Sequence, residues 1–225
     1  MSRNKILVIA AHPDDEVIGA GGTILKHAKA GDRVSILLLG DGVTSRGANA
    51  ADIKKRANQA KLAAKILGAG KVFLETLPDN KFDSVPLLEI VKKVEKIVYA
   101  IKPSLVYTHF GDDLNIDHRL TFQAVMTACR PQPKFFVKNI LAFEVLSSTE
   151  WQAKKKKSLF CPTYYNDIDN FINQKMKAME VYREELKAYP HPRSKEGIRI
   201  LAQYRGLEVG YKNAEAFEIV RQLKD

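Results

Sequence analysis

A histidine and three acids directly follow the first apolar run of the chain. The run KILVIA, residues 5–10, leads into His12, Asp14, Asp15 and Glu16. At a strand-to-helix corner, His12 and Asp15 could converge on one cation, because imidazole nitrogen and carboxylate oxygen both bind zinc. The alternative is an acidic first helical turn that complements the helix dipole, which explains one acid better than three beside a histidine. Clustered carboxylates would repel phosphate, so the turn does not favour a nucleotide.

A catalytic metal site needs a third protein ligand, and the best candidate is His118. It lies in THFGDDLNIDHRLT, residues 108–121, just after a predicted strand at 105–110. Carboxyl ends of parallel strands lie at one edge of a sheet, so we expect His118 beside His12. Two histidines and Asp15 leave an open position for water, as in catalytic zinc sites. Iron(II) or cobalt could occupy the same ligands.

Apolar runs of strand length alternate with helical periodicity up to about residue 147. The predicted strands are 5–11, 34–39, 71–77, 105–110 and 139–146, and the predicted helices are 17–30, 50–67, 85–101 and 118–129. This alternation predicts an α/β fold with a Rossmann-like, mainly parallel sheet covered by helices on both faces. Glycines within the first helix, at 19, 21 and 22, are expected to allow close packing of that helix on the sheet.

The pattern loosens in the last third of the chain. Residues 158–168 could hold a strand, 169–188 and 194–209 have helical character, and AEAFEIVRQL (214–223) fits either a strand or a helix. With 225 residues, 45% of them hydrophobic, the chain has the length of one domain. We expect a single domain over residues 1–225, with a Rossmann-like core at 1–147 and a C-terminal elaboration at 148–225.

The composition indicates which cellular compartment and which classes of binding partner to expect. No apolar run is long enough to span a bilayer, and two cysteines without metal-binding spacing suit a reducing compartment, so we expect a cytoplasmic protein without a membrane span. The net charge is +10, with the densest run at Lys154–Lys157, after Trp151. Such a run is usually a solvated face, and without an accompanying recognition motif we expect no nucleic-acid partner.

The motif AHPDDE (residues 11–16), the glycine-rich helix after it and the later TH and DH pairs resemble the LmbE-like zinc deacetylases. This family includes the PIG-L enzymes, the N-acetylglucosaminyl-phosphatidylinositol de-N-acetylases. PHPRSKEGI (190–198) and AEAF (214–217) resemble its bacterial members. The resemblance implies an LmbE-like fold, a zinc ion and hydrolysis of an N-acetyl group on an N-acetylglucosamine-type sugar, free or linked to a nucleotide or lipid. It also implies a homo-oligomer.

The same resemblance assigns roles to the motif residues. His12, Asp15 and His118 would bind the zinc, and Asp14 would be the general base. A carboxylate that is not committed to the metal can take a proton from the attacking water and pass it to the departing amine. Asp117 would orient its neighbours without binding the metal itself.

The chain departs from the family pattern at Asn115. Many relatives have His-x-Asp-His where this sequence has NIDH, residues 115–118. Asparagine can donate a hydrogen bond to an oxyanion but cannot titrate near neutrality. Either Asp14 carries all proton transfer, or another histidine takes over part of it. We hypothesise that His191, held between two prolines, compensates for Asn115.

Several other polar side chains are expected at the carboxyl edge of the sheet, where they could contact substrate. Each also has an ordinary structural explanation: a Gly-Asp-Gly turn, a solvated helix face, a hydrogen bond at a strand end, or a proline-terminated helix. Arg56 is included because it resembles an arginine that opens the corresponding helix in relatives. The candidates are Asp41, Arg46, Arg56, His109 and Arg193.

Two other functions stay open on the sequence. A metal-dependent phosphoesterase or sugar-nucleotide enzyme could use Asp112 and Asp113, but such sites often hold two metals about 3.5–4 Å apart. A non-catalytic nucleic-acid-binding module could use Lys154–Lys157, and its binding would depend strongly on salt and survive chelation.

Overall fold

The computed structural model describes residues 3–133, 135–154 and 158–224. The strands are β1 (Lys5–Ala10), β2 (Arg33–Gly40), β3 (Lys71–Leu77), β4 (Leu105–His109), β5 (Asn139–Phe143), β6 (Tyr164–Asp167) and β7 (Ala214–Gln222). The helices are α1 (Asp15–Lys29), α2 (Ala50–Ile66), α3 (Leu87–Ile101), α4 (Ile116–Ala128), α5 (Ile172–Val181) and α6 (Lys195–Leu207). Short 3₁₀ turns lie at 44–46, 82–84 and 149–151.

The strands form a seven-stranded sheet in the order β3-β2-β1-β4-β5-β7-β6. Strands β1 to β5 are parallel, whereas β7 runs antiparallel between β5 and β6. The strand order reverses between β1 and β4, and the crevice at such a switch point is where ligands bind in doubly wound sheets. Both proposed metal-binding segments follow these two strands.

Apolar clusters cover both faces of the sheet. Alternate residues of β1 point to opposite sides: Ile6 and Val8 join the cluster under α1, α2 and α5, and Leu7 and Ile9 join the one under α3 and α4. Strands buried on both faces read as continuous apolar runs rather than alternating ones, which is why β1 and β2 were visible in the sequence. Among the described residues, no helix is both long and apolar enough to cross a bilayer.

Two predicted elements end earlier in the structure. Strand β5 stops at Phe143, because Val145 exchanges two hydrogen bonds with Thr149 in a turn instead of extending the ladder. Helix α5 covers 172–181 rather than 169–188, because the chain leaves the helix at Tyr182, whose side chain is fully buried. The ambiguous segment at the C-terminus is strand β7.

Glycines bring α1 close to the sheet, as expected. A Cβ at Gly19 would lie 2.3 Å from Cδ2 of Phe143, and one at Gly22 would lie 2.7 Å from Cγ2 of Ile168. Both distances are shorter than real contacts allow, so a side chain at either position would have to displace its neighbour. Of the lysine run, Lys155–Lys157 lie outside the described residues, and the Lys154 ammonium donates to the Glu150 carbonyl.

Candidate active site

The turn between β1 and α1 has an unusual backbone. The His12 N–H donates to Oδ2 of Asp15 (2.9 Å), and the Asp14 carbonyl accepts the N–H groups of Val17 and Ile18, so α1 begins here. Asp14 itself has φ 131° and ψ −31°. A non-glycine residue in such a region costs about 1–3 kcal/mol, and strain of this kind is concentrated at functional sites.

His12, Asp15 and His118 form a buried group of potential metal ligands. One donor atom from each lies within 4.8 Å of the others. Nδ1 of His12 and Nε2 of His118 are each 3.3 Å from Oδ2 of Asp15. Within the described part of the chain, neither Oδ1 of Asp15 nor Nε2 of His118 has a hydrogen-bond partner. Unsatisfied buried polar atoms are costly, and a divalent cation would satisfy both, so the residues present fit a metal such as zinc.

Each of these histidines is oriented by an acid. Nε2 of His12 lies 2.9 Å from Oδ2 of Asp117, and Nδ1 of His118 lies 3.1 Å from Oδ1 of Asp113. Each imidazole therefore has one nitrogen engaged by a carboxylate and the other free to face Asp15. Metal-bound histidines are commonly held in this way, which fixes the ring and its tautomer.

The two orienting acids are themselves anchored. The other oxygen of Asp117 accepts the N–H of Phe82 at 2.9 Å, and Asp113 accepts the hydroxyls of Ser148 and Thr149. Asp117 thus contacts His12, and its orienting role stays a prediction. Asp113, which the sequence offers as a ligand for a phosphoesterase or as an acid at a helix N-terminus, contacts His118.

Neighbouring acids in the turn have opposite electrostatic environments. Burial raises the pKa of Asp14, against the opposing charge of the Arg193 guanidinium, whose Nη1 donates to Oδ2 of Asp14 at 3.0 Å. Burial also disfavours charge on Asp15, but the electrostatic attraction of the adjacent His118 holds the pKa of Asp15 well below its usual range. Asp15 is thus suited to bind a cation, and Asp14 to exchange a proton.

A cavity of about 290 Å³ opens beside this turn. Its walls come from the loops after β1, β2 and β3, from the start of α4, and from the segment between α5 and α6. The lining residues are His12, Pro13, Asp14, Gly42, Ser45, Arg46, Asp79, Asn80, Asn115, Glu185 and Arg193.

Comparison with known proteins identifies the family. The family described as PIG-L, GlcNAc-PI de-N-acetylase, matches residues 7–129, more than half of the chain. This chain belongs to the PIG-L family. The expected family and the expected enzyme class, a deacetylase, are thereby confirmed.

Individual relatives of this PIG-L chain agree with that assignment. It is 27% identical over 229 residues to the diacetylchitobiose deacetylase of Thermococcus kodakarensis, an alignment covering 96% of this chain and 83% of the relative. The structure of the N,N'-diacetylchitobiose deacetylase from Pyrococcus horikoshii, bound to an inhibitor, matches with TM-score 0.75 and 25% identity over 97% of this chain and 84% of that one. The LmbE-like fold is confirmed.

A more distant match shows that the fold alone does not decide the reaction. The 4-carboxy-2-hydroxymuconate hydratase GalB of Pseudomonas putida superposes with TM-score 0.76 at 20% identity, covering 99% of this chain and 98% of GalB. At this identity the likeness concerns the fold only. The function of this PIG-L chain therefore has to be argued from its site.

The structure brings several predicted residues together at the cavity of this PIG-L chain. Arg46 lines it and pairs with Glu185 at 2.7 Å. Asn115 caps α4, since its Oδ1 accepts the Asp117 N–H at 2.8 Å, and its Nδ2 donates to Oδ1 of Asn80 at 3.1 Å. Because the side-chain oxygen of Asn115 accepts the Asp117 N–H, the NH₂ group of Asn115 is the group that could donate a hydrogen bond to a ligand in the cavity.

Two predicted substrate contacts, Asp41 and Arg56, do not line the cavity. The Asp41 carboxylate accepts the backbone N–H groups of the next turn and the Thr44 hydroxyl, as in an ordinary Gly-Asp-Gly turn. Arg56 is buried, where it donates to the Pro13 carbonyl at 3.4 Å and pairs with Glu185. These contacts support the walls of the site.

His109 also turns inward, under the metal-ligand group. It is completely buried, its Nε2 accepts the Ala11 N–H at 2.8 Å, and its ring stacks on His118 with centroids 3.9 Å apart. Burial holds the pKa of His109 well below its usual value, so the ring is neutral. Of the two explanations for His109, the structural hydrogen bond is the one observed.

His191 lies outside the cavity lining as well. Its Nδ1 accepts the N–H of Arg193 at 3.0 Å, and its ring meets Trp151 edge-on at 5.4 Å. Of the described residues that line the cavity, His12 is the one histidine. His191 thus supports Arg193, and the idea that it replaces the titratable group missing at Asn115 gains no support from its position.

Sequence reasoning missed part of the cavity wall. Asp79 and Asn80 follow β3 at the same edge of the sheet, and Oδ1 of Asp79 lies 3.3 Å from Nε2 of His12. Applying the strand-end rule to LPDN would have found them. Glu185 lies beyond α5 in a segment predicted to be helical, and no local signal marks it.

Proposed function

We propose that this chain is a zinc-dependent N-deacetylase that acts on an N-acetylglucosamine-type amino sugar. The observation that carries the proposal is the buried His12, Asp15 and His118 group with two unpartnered donor atoms, directly beside Asp14 on the cavity. Deacetylases of acetylated sugars among the relatives support the substrate class. Iron(II) and cobalt suit the same ligands, so the metal itself is part of the test.

The residues of the chain divide the chemistry. When bound, the metal would act as a Lewis acid on the amide carbonyl and the attacking water. Asp14 takes the proton of the water as its oxygen bonds to the carbonyl carbon, and delivers it to the nitrogen as the C–N bond breaks, which releases acetate and the free amine. The Asn115 NH₂ group donates to the carbonyl oxygen as it becomes negative.

Charges around the cavity favour a neutral sugar at its base. Arg46 and Arg193 are already paired with Glu185 and Asp14, and Asp79 adds a further carboxylate. A phosphate placed there would meet these acids. Among the described residues that line the cavity, both cationic side chains, Arg46 and Arg193, are already paired with carboxylates. A nucleotide or lipid group on the substrate would therefore extend out of the cavity.

Neither alternative function gains comparable support. A second potential ligand group, His12, Asp79 and Asp117, shares His12 with the first, so the described residues offer one independent metal site instead of the pair typical of two-metal phosphoesterases. Nucleic-acid binding would depend on a lysine run of which only Lys154 is described.

We also propose that residues 1–225 act as one cytoplasmic deacetylase domain, and the homo-oligomer stays a prediction.

Acetate release tests the proposed function. Zinc-loaded protein is incubated with N-acetylglucosamine, diacetylchitobiose, and nucleotide and lipid conjugates of N-acetylglucosamine, while acetate and metal content are measured. We expect one metal per chain, loss of metal and activity in His12→Ala, and retained metal with a rate at least about 100-fold lower in Asp14→Asn. His27→Asn, which alters a histidine near the far end of α1, should retain both. Absence of acetate from every substrate, or an unchanged rate in Asp14→Asn, would contradict the proposal.

A further inference from the structure

The third acid of the turn, Glu16, has no part in the chemistry above, yet it is only 1% exposed. Its Oε2 accepts the backbone N–H of Asp14 at 2.9 Å. Its Oε1 accepts the hydroxyl of Tyr182 at 2.8 Å. Both oxygens of this carboxylate are thus engaged, one by the backbone of the general base and the other by a tyrosine from the C-terminal part of the chain.

The residue that Glu16 holds is the one with the unusual backbone. Asp14, at φ 131°, is in a region that side chains with a Cβ rarely adopt. Such a conformation persists only where surrounding contacts over-determine it. The side chain of Glu16 supplies one such contact, because the Asp14 N–H would otherwise be buried without an acceptor.

Glu16 and Tyr182 together form a clamp on the Asp14 N–H, in which Tyr182 holds the Glu16 carboxylate in place. Tyr182 is fully buried, and the guanidinium of Arg56 lies 5.6 Å from its ring centre. The same guanidinium donates to the carbonyl of Pro13, the residue before Asp14. The turn is therefore held on both sides of its peptide: at the Pro13 carbonyl by Arg56 and at the Asp14 N–H by Glu16.

We propose that Glu16, fixed by Tyr182, is a positioning residue that holds Asp14 in its strained conformation so that the Asp14 carboxylate lies at the cavity. In a relaxed turn, the side chains of Asp14 and Asp15 would not both keep their directions, with Asp14 at the cavity and Asp15 facing the two histidines. The inference rests on the proposed deacetylase function, because Asp14 is its general base. Loss of the clamp lets the turn relax and misplaces the base, while the three metal ligands keep their contacts.

Three variants test the clamp, and a fourth is their control. Glu16→Ala removes it, and we expect kcat for acetate release to fall about 100-fold, as for a base displaced by about 1 Å, with metal content unchanged. In Glu16→Gln the amide oxygen can still accept the Asp14 N–H, so kcat should stay within about fivefold of the parent. Tyr182→Phe removes one buried hydroxyl, and kcat should fall at least about threefold.

Tyr107→Phe is the matched control. Tyr107 is equally buried, and its hydroxyl is 3.0 Å from Nε2 of His27, near the far end of α1. Its loss should affect stability as Tyr182→Phe does, with kcat unchanged. A crystal structure of metal-free Glu16→Ala adds a readout independent of activity, and we expect φ of Asp14 to become negative.

The proposal is overturned if Glu16→Ala keeps the parent kcat, or if φ of Asp14 stays near 131° without Glu16. It is also overturned if Tyr107→Phe lowers kcat as much as Tyr182→Phe, since the effect would then follow stability alone. Failure of the deacetylase function looks different: the parent protein itself would release no acetate, whereas the crystal structure would still decide whether Glu16 holds the turn.

Discussion

At the scale of single residues, Asp14 combines two features that each lower stability. The residue is 3% exposed, and its backbone lies where a Cβ is crowded. Arg193 offsets part of the first cost, and the Glu16 contact offsets part of the second. A residue kept in this state at a cavity is typical of a site where activity is retained at the expense of stability.

Replacing Asp14 separates the carboxylate from the strain. Asp14→Ala and Asp14→Gly both remove the acid, and both should abolish acetate release. Glycine adopts φ 131° without a Cβ clash, so Asp14→Gly should be more stable than Asp14→Ala by about 1 kcal/mol, after the entropy that glycine loses on folding. Urea unfolding of the metal-free proteins measures the difference. An alanine variant as stable as the glycine variant would show that the turn is not strained.

At the scale of elements, α1 depends on close packing and on a buried ion pair. The ammonium of Lys175 donates to the Ile18 carbonyl at 2.8 Å and pairs with Glu215 at 2.7 Å. The Glu215 carboxylate in turn accepts the N–H groups of Gly22 and Thr23. Helix α1, which begins at the metal-binding turn, is therefore seated by glycine contacts with the sheet and by charges from α5 and β7.

A methyl group at Gly19 tests the packing. The Cβ of Gly19→Ala would lie 2.3 Å from Cδ2 of Phe143, which must move, so we expect a loss of about 1–3 kcal/mol in the free energy of unfolding despite the better helix propensity of alanine. Gly70→Ala is the control, since the nearest atom to its Cβ is 3.7 Å away. Urea midpoints compare the two, and equal stability of both variants would refute the close approach of α1.

At the scale of the whole molecule, the C-terminal elaboration is part of the sheet and of the site. Strand β7 pairs with β5, so the segment after residue 147 covers what would otherwise be an edge of the core. Glu185 and Arg193 from this segment line the cavity. The boundary predicted at residue 147 therefore divides a regular alternation of strands and helices from a less regular segment. Strand pairing and the cavity lining both include residues from the two sides of this boundary.

Truncation tests this dependence. A chain ending at residue 147 lacks β6, β7, α5 and α6, exposes the apolar face of α1 and leaves β5 as an edge strand paired only with β4. We therefore expect no cooperative urea transition by circular dichroism. Removing only residues 223–225, beyond β7, should leave the transition within about 1 kcal/mol of the parent. Cooperative unfolding of the shorter fragment would instead identify residues 1–147 as an independent folding unit.

The first five strands, the four helices between them and the close grouping of His12, Asp15 and His118 could be predicted from the sequence. These were accessible because buried parallel strands are continuous apolar runs, and because residues that follow such strands meet at one edge of the sheet. The motif resemblance added the family and the proposed role of Asp14.

The polar side chains that face the cavity could not all be predicted from the sequence, because their orientation depends on the folded chain. Arg56 and His109 turned inward, Asp113 became the partner of His118, and Glu185 reached the cavity from beyond α5. The tertiary structure also decided that the last segment is an antiparallel strand. The physical reason is that the periodicity of a short segment indicates only which of its residues are buried. The partner of a buried charged side chain often comes from a segment far away in the sequence, so it depends on how the whole chain packs.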